Sequence, residues 1–127
     1  MTERVPLTIL KNLIHNETYT RQVIPFIEPD YFEERSDRIV FEEVAKFLNE
    51  YDKTPTKEVL HIEVEKRVDV TEDEYKTIEQ LISALDTEVS ESKWLLDTTE
   101  EWCKQRAIYL ALIKSIQIAD GQDEHKK

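Results

Sequence analysis

WLLDTTEEWCKQRAIYLALIKSIQIA, residues 94–119, reads as one long helix, and its second half, AIYLALIKSIQIA, is apolar almost all the way round. Stepping residues at helical angles puts Trp94, Leu95, Trp102, Tyr109, Leu112, Ile113 and Ile116 on one broad face. Ala107, Ala111 and Ile118 fall on the far side, with Leu110 between. A surface helix of a small soluble domain carries a single apolar stripe. Two apolar sides ask for two dry neighbours, so the spare side is a candidate docking surface for a second copy or another protein. The stretch points to an assembly module, not to a pocket.

Working backwards, Thr71-Glu72-Asp73-Glu74 has the capping-box spacing, a threonine followed three residues later by glutamate. The helix it opens carries Tyr75, Ile78, Leu81, Ile82 and Leu85 at helical intervals. A short polar link, 86–92, leads into the long helix, so the last two helices are expected to form an antiparallel hairpin. Before them, Val40, Phe41, Val44, Phe47, Leu48 and Tyr51 recur at steps of three and four behind a cap at Ser36 or Asp37. Thr54 is expected to cap the next helix, with Pro55 in its first turn and Val59, Leu60 and Val64 on its inner side.

Further upstream, residues 7–16 place Leu7, Leu10, Leu13 and Ile14 on one side. Residues 19–27 carry Tyr19, Val23, Ile24 and Ile27, with a bend at Pro25. Glu28-Pro29-Asp30-Tyr31-Phe32 reads as a connecting turn that buries an aromatic ring. The run 61–70 alternates only in places and suits a helix end as well as a strand. The expected class is all-α: a helical head over 1–70, a helical hairpin over 71–119 within the same domain, and a polar tail from 120.

Composition narrows the function. A chain of 127 residues is long enough for one domain with a true hydrophobic core. Its apolar share of 39% beside 35% charged residues, with a mean hydropathy of -0.58, fits a soluble helical protein. No apolar run approaches the roughly 20 residues that span a bilayer. The opening MTERVPLTIL lacks a cleavage site, so a cytoplasmic location with no membrane association is expected. The single cysteine, Cys103, cannot form an internal disulfide and reads as an incidental thiol. A net charge of -11, with 17 basic residues scattered in runs of two at most, argues against direct nucleic-acid binding. The only glycine is Gly121, so no phosphate-cradling loop can be written and this chain should bind no nucleotide cofactor.

No catalytic grouping stands out. Glu58-Val59-Leu60-His61 has the Glu-x-x-His spacing of carboxylate-bridged di-metal bundles, but those need a second copy and further glutamates. A metal site is therefore not expected. The acidic pairs at Glu33-Glu34, Glu42-Glu43 and Glu100-Glu101 point in different directions on a helix and read as solvated faces. His15, His61 and His125 are dispersed, and no serine sits in a nucleophile context. The chain itself is not expected to be an enzyme.

Read in order, these segments resemble the amino-terminal domain of hexameric, DnaB-type replicative DNA helicases, most closely the T-even-phage branch. The resemblance rests on VPLTILKNLIHNETYTRQVIPFIEPDYFEERSDRIVFEEVAKFLNEY, in which Asp30, Tyr31, Phe32, Arg38, Ile39 and Phe41 match a family element position by position. Thr54-Pro55-Thr56 with Leu60 resembles the next helix start, and Trp94-Leu95 with KQRAIYLALIKSIQIA resembles the hairpin's second arm.

The resemblance implies a domain that pairs through its hairpins, with three pairs forming a collar above six ATPase domains. It further implies a role in DNA replication, docking of DNA primase, and the cytoplasm of a phage-infected host. Residues 120–127 would begin a linker to an ATPase domain that holds ATP and magnesium. On this reading Leu95, Trp102, Tyr109, Leu112 and Ile116 join Tyr75, Ile78, Ile82 and Leu85 to hold the hairpin together. Ala107, Leu110, Ala111 and Ile118 then meet the second protomer. The alternative is a free-standing helical adaptor that binds another protein.

Overall fold

A computed structural model describes residues 4–88 and 90–120, all of them in helices, turns or links with no strand among them. The all-α expectation holds. Helix α1 (Val5–His15) is buried along most of its length. Pro6 sits in its first turn, where a missing amide costs nothing, and every residue from Thr8 to Ile14 is buried. The expected one-sided stripe is thus too narrow: Ile9 is fully buried as well, and so is Asn12. Asn12 is tolerated because its amide donates to the Thr8 carbonyl at 2.9 Å and to Ser90 Oγ at 3.2 Å, while its oxygen accepts from the Ser90 amide. Those bonds tie the link before the last helix to the core.

Helix α2 (Glu17–Val23) begins at Asn16, whose side chain accepts from the Tyr19 amide at 3.2 Å. The Pro25 bend is a 3-10 turn over Ile24–Phe26, and a second such turn spans Pro29–Tyr31. Helix α3 (Arg35–Tyr51) starts one residue before the expected caps, after Glu34. Asp37 lies buried inside its first turn and meets Arg4 at 3.2 Å. The helix ends on Asp52 in the left-handed region at φ 59, where a short polar side chain substitutes for glycine.

Helix α4 (Lys57–Glu65) is capped by Thr56 instead of Thr54, with Thr56 Oγ1 accepting from the Val59 amide at 3.2 Å. Pro55 is buried just outside the helix. Helix α5 (Glu72–Ser83) has the expected capping box: Glu74 N donates to Thr71 Oγ1 at 3.1 Å, and Thr71 N to Glu74 Oε1 at 3.0 Å. The Thr71 amide is the main cause of the lowered Glu74 pKa, and Arg35 at 3.1 Å adds to it. Thr71→Ala should cost about 1 kcal/mol and lower the melting temperature by about 3–5 °C, measured by circular dichroism.

Helix α6 (Ser92–Ala119) stands where the periodicity put it. Its neighbours differ from expectation. Helix α5 packs on α3 and α4, whereas α6 lies against α1, α2 and the second 3-10 turn. The two helices follow one another over a short link, yet each is held by the common core and not chiefly by the other. One hydrophobic cluster runs from Ile9 and Leu13 through Phe32 and Phe41 to Ile78, Ile82, Leu85, Leu95 and Trp102. No helix among the described residues is long and apolar enough to cross a membrane.

Candidate assembly surface

The first half of α6 is seated on the head by four residues on one face. Leu95 and Thr99 are buried, Trp102 is 9% exposed and Arg106 is half-buried. Thr99 Oγ1 and the Tyr19 hydroxyl share a buried hydrogen bond of 2.7 Å. Burial raises the Tyr19 pKa well above the usual phenol range, so the hydroxyl keeps its proton. The Trp102 ring lies 4.9 Å from Phe32 and meets Tyr31 edge-on at 6.0 Å. One turn later Arg106 Nε donates to the Tyr31 carbonyl, Nη1 comes within 3.5 Å of Glu33, and the guanidinium sits 5.0 Å from the Tyr109 ring centre. The Asp30-Tyr31-Phe32 turn is therefore what grips the last helix.

Beyond Arg106 the helix changes character. Ile108 is 61% exposed, Leu112 57% and Ile116 55%, with Tyr109 and Ile118 exposed as well. Ala107 and Ala111 are exposed, while Leu110 and Ile113 are half-covered. Residues 107–119 contain one charged side chain, Lys114. At helical rise this arm is roughly 20 Å long. Monomeric proteins seldom leave so continuous an apolar surface in water.

The expected interface residues therefore divide into two groups. Ile78, Ile82, Leu85, Leu95 and Trp102 belong to the subunit's own core, and Tyr75 packs half-buried against it. They do not zip α5 to the outer part of α6, because α3 and α4 already cover that side of α5. Tyr109, Leu112 and Ile116, expected to close the hairpin from the other side, are exposed. Ala107, Ala111 and Ile118 are also exposed, and Leu110 lines a shallow hollow with Phe32, Arg38 and Arg106. Both apolar sides of the arm are thus open, where one was expected to be closed.

Alongside the seated half runs an open groove of about 470 Å³. Val23, Phe26 and Tyr31 form one wall, and Leu96, Cys103 and Ala107 of α6 form the other. Phe26, 71% exposed, had no role in the sequence reading. Its signal was available: a phenylalanine following a proline in a 3-10 turn has no regular face to bury. Arg106 was also overlooked as an anchor, although it lies one turn after Trp102 on the core-facing side. Burial pushes the Cys103 thiol up to about 11, which leaves it protonated and a poor nucleophile at neutral pH. Glu58 is exposed and His61 half-buried, and the described residues contain no cluster of three metal-ligating side chains around them. Gly121, His125 and most of the expected linker lie outside the described residues.

No protein-family model matches the chain. Over 110 residues, 87% of its length, the chain is 33% identical to a DnaB-like replicative helicase of Enterobacteria phage T4. The chain spans 23% of that relative's length. It is a homologue of a segment of that helicase.

Proposed function

We propose that this chain, a relative of the DnaB-like replicative helicases, is an amino-terminal collar domain through which helicase subunits pair and assemble into a ring. The observation that carries this reading is the exposed half of α6, with Ile108, Leu112, Ile116 and Ile118 open to solvent beside a single charge. Each such side chain contributes roughly 1.5–3 kcal/mol when buried. Two or three such side chains per protomer, four to six in a pair, give roughly 6–18 kcal/mol against the estimated 4–15 kcal/mol cost of association, which suits a weak to moderate dimer. Such an affinity becomes firm only when a ring of ATPase domains holds the collars together.

Two open apolar sides leave room for two neighbours. One is the paired protomer. The other is a further pair in a trimer of dimers, or the DNA primase that accompanies a replicative helicase. In the whole protein, unwinding belongs to an ATPase domain that holds ATP and magnesium. A net charge of -11 disfavours direct contact between this domain and DNA phosphates. An apolar arm alone would serve an adaptor equally well; the kinship to a helicase segment supports the collar reading.

Sedimentation equilibrium tests the pairing. The native chain is expected to self-associate in the micromolar range, and Ala111→Asp to remain monomeric with unchanged helix content. Ala111 is exposed on the arm, so the substitution leaves the core intact. Equal monomeric masses for both proteins up to about 100 μM would overturn the proposal.

A further inference from the structure

The groove beside α2 and the exposed arm of α6 belong to one continuous helix face. Leu96, Glu100, Cys103 and Ala107 line or border the groove, and Ala111, Lys114 and Ile118 continue the same row along the arm. Successive members of that row are four, three, four, four, three and four residues apart, a seam of the kind along which helices pair. The order of spacings is the same read from either end, with Ala107 at its centre. A row with that property can meet a second copy of itself running the other way, each position facing its mirror position, as a two-fold interface requires.

We infer that two protomers pair antiparallel about Ala107, each laying the arm of its α6 into the other's groove. This deepens the proposed collar reading and rests on it. In this register Ile118 of one chain faces Leu96 of the other, and Ala111 faces Cys103. The arm's one charge, Lys114, faces Glu100, which on its own helix already meets Lys104 at 3.5 Å. Small side chains stand at the centre, where the helix axes come closest, and the larger apolar residues stand at the ends. Phe26, exposed on the groove's far wall, then covers the incoming arm. Shifting the register by one turn toward the C-terminus would set Lys114 against Lys104 across the interface, a like-charge contact that disfavours it. Ile108, Leu112 and Ile116 remain open on the opposite side of the pair, available to the second neighbour.

The native 127-residue chain carries the test in two forms. In a Cys103→Ser background, Ala107→Cys lies on the two-fold axis and should form a disulfide-linked dimer under air oxidation. Leu112→Cys, on the other side of the helix, should stay a monomer on the same non-reducing gel. In the second form, Lys114→Glu alone and Glu100→Lys alone should each weaken the dimer about tenfold, and the double exchange should restore it to within about threefold. A dimer that crosslinks through position 112 and not 107, or that ignores both charge reversals, would overturn this register while leaving pairing through α6 intact. A native chain that stays monomeric at about 100 μM would overturn the collar reading and this inference with it, and would assign the groove to a different protein.

Discussion

Trp102→Ala is expected to be among the most damaging single substitutions, costing about 3–5 kcal/mol and lowering the melting temperature by about 10–20 °C. The indole is 9% exposed and packs on two rings, its centre 4.9 Å from that of Phe32 and 6.0 Å from that of Tyr31. Removing it leaves a cavity beneath the helix and takes away the support on which Arg106 reaches the Tyr31 carbonyl. The arm is aimed by this anchorage, so assembly should weaken along with stability. Trp102→Phe should recover most of both, because a smaller ring still fills the gap between Phe32 and α6. Chemical denaturation monitored at the remaining Trp94 provides the measurement. A loss below about 1 kcal/mol for Trp102→Ala would mean that α6 is held chiefly by Leu95 and the Tyr19–Thr99 bond.

What could be read from the sequence follows from which signals are local. Helix periods, the Thr71 capping box and the long run at 94–119 are set by neighbours three and four residues away. They appear in the structure close to their expected places, except that the helix expected over 19–27 ends at Val23 and passes into a 3-10 turn at Pro25. The resemblance of Asp30-Tyr31-Phe32 to a family element located a turn, and the structure supplies its role as the seat of Trp102 and Arg106. Partner choice was harder. Sequence adjacency suggested that α5 would cover α6, but the apolar residues of α5 fit α3 and α4 equally well, and pattern alone does not say which neighbour takes them. The burial of Asn12 was invisible for a related reason. A polar residue inside a helix reads as solvent-facing until its partner is known, and Ser90 lies 78 residues away. The groove depends on the meeting of Phe26 with a distant helix, which no local period encodes.

Arg67→Met should be the other severe change, at about 2–4 kcal/mol, although it lies far from the arm. Arg67 follows α4 and holds three acids at once: Glu43 Oε2 at 2.8 Å, Glu42 at 3.1 Å and Asp69 at 2.9 Å. Glu43 makes the difference, because its side chain is only 4% exposed and its other oxygen has just Lys46 nearby, at 3.6 Å. Losing the guanidinium leaves a buried carboxylate with one distant cation, which costs more than the intact pair gained. Glu43→Gln combined with Arg67→Met should therefore be more stable than Arg67→Met alone, the sign that separates an orphaned charge from lost packing. Acid titration provides a second readout. Asp69 is held down to about 2, first by its bond from Arg67, against an ordinary value of 3.8. A lowered folded pKa contributes stability above the ordinary value, and that contribution disappears as pH falls toward the folded one. The native chain should accordingly lose stability between about pH 4 and pH 2, and Arg67→Met should show a flatter profile over the same range. An equally steep acid limb in both proteins would mean that Asp69 takes its stabilisation from Arg35, 3.5 Å away, and that Arg67 serves mainly Glu43.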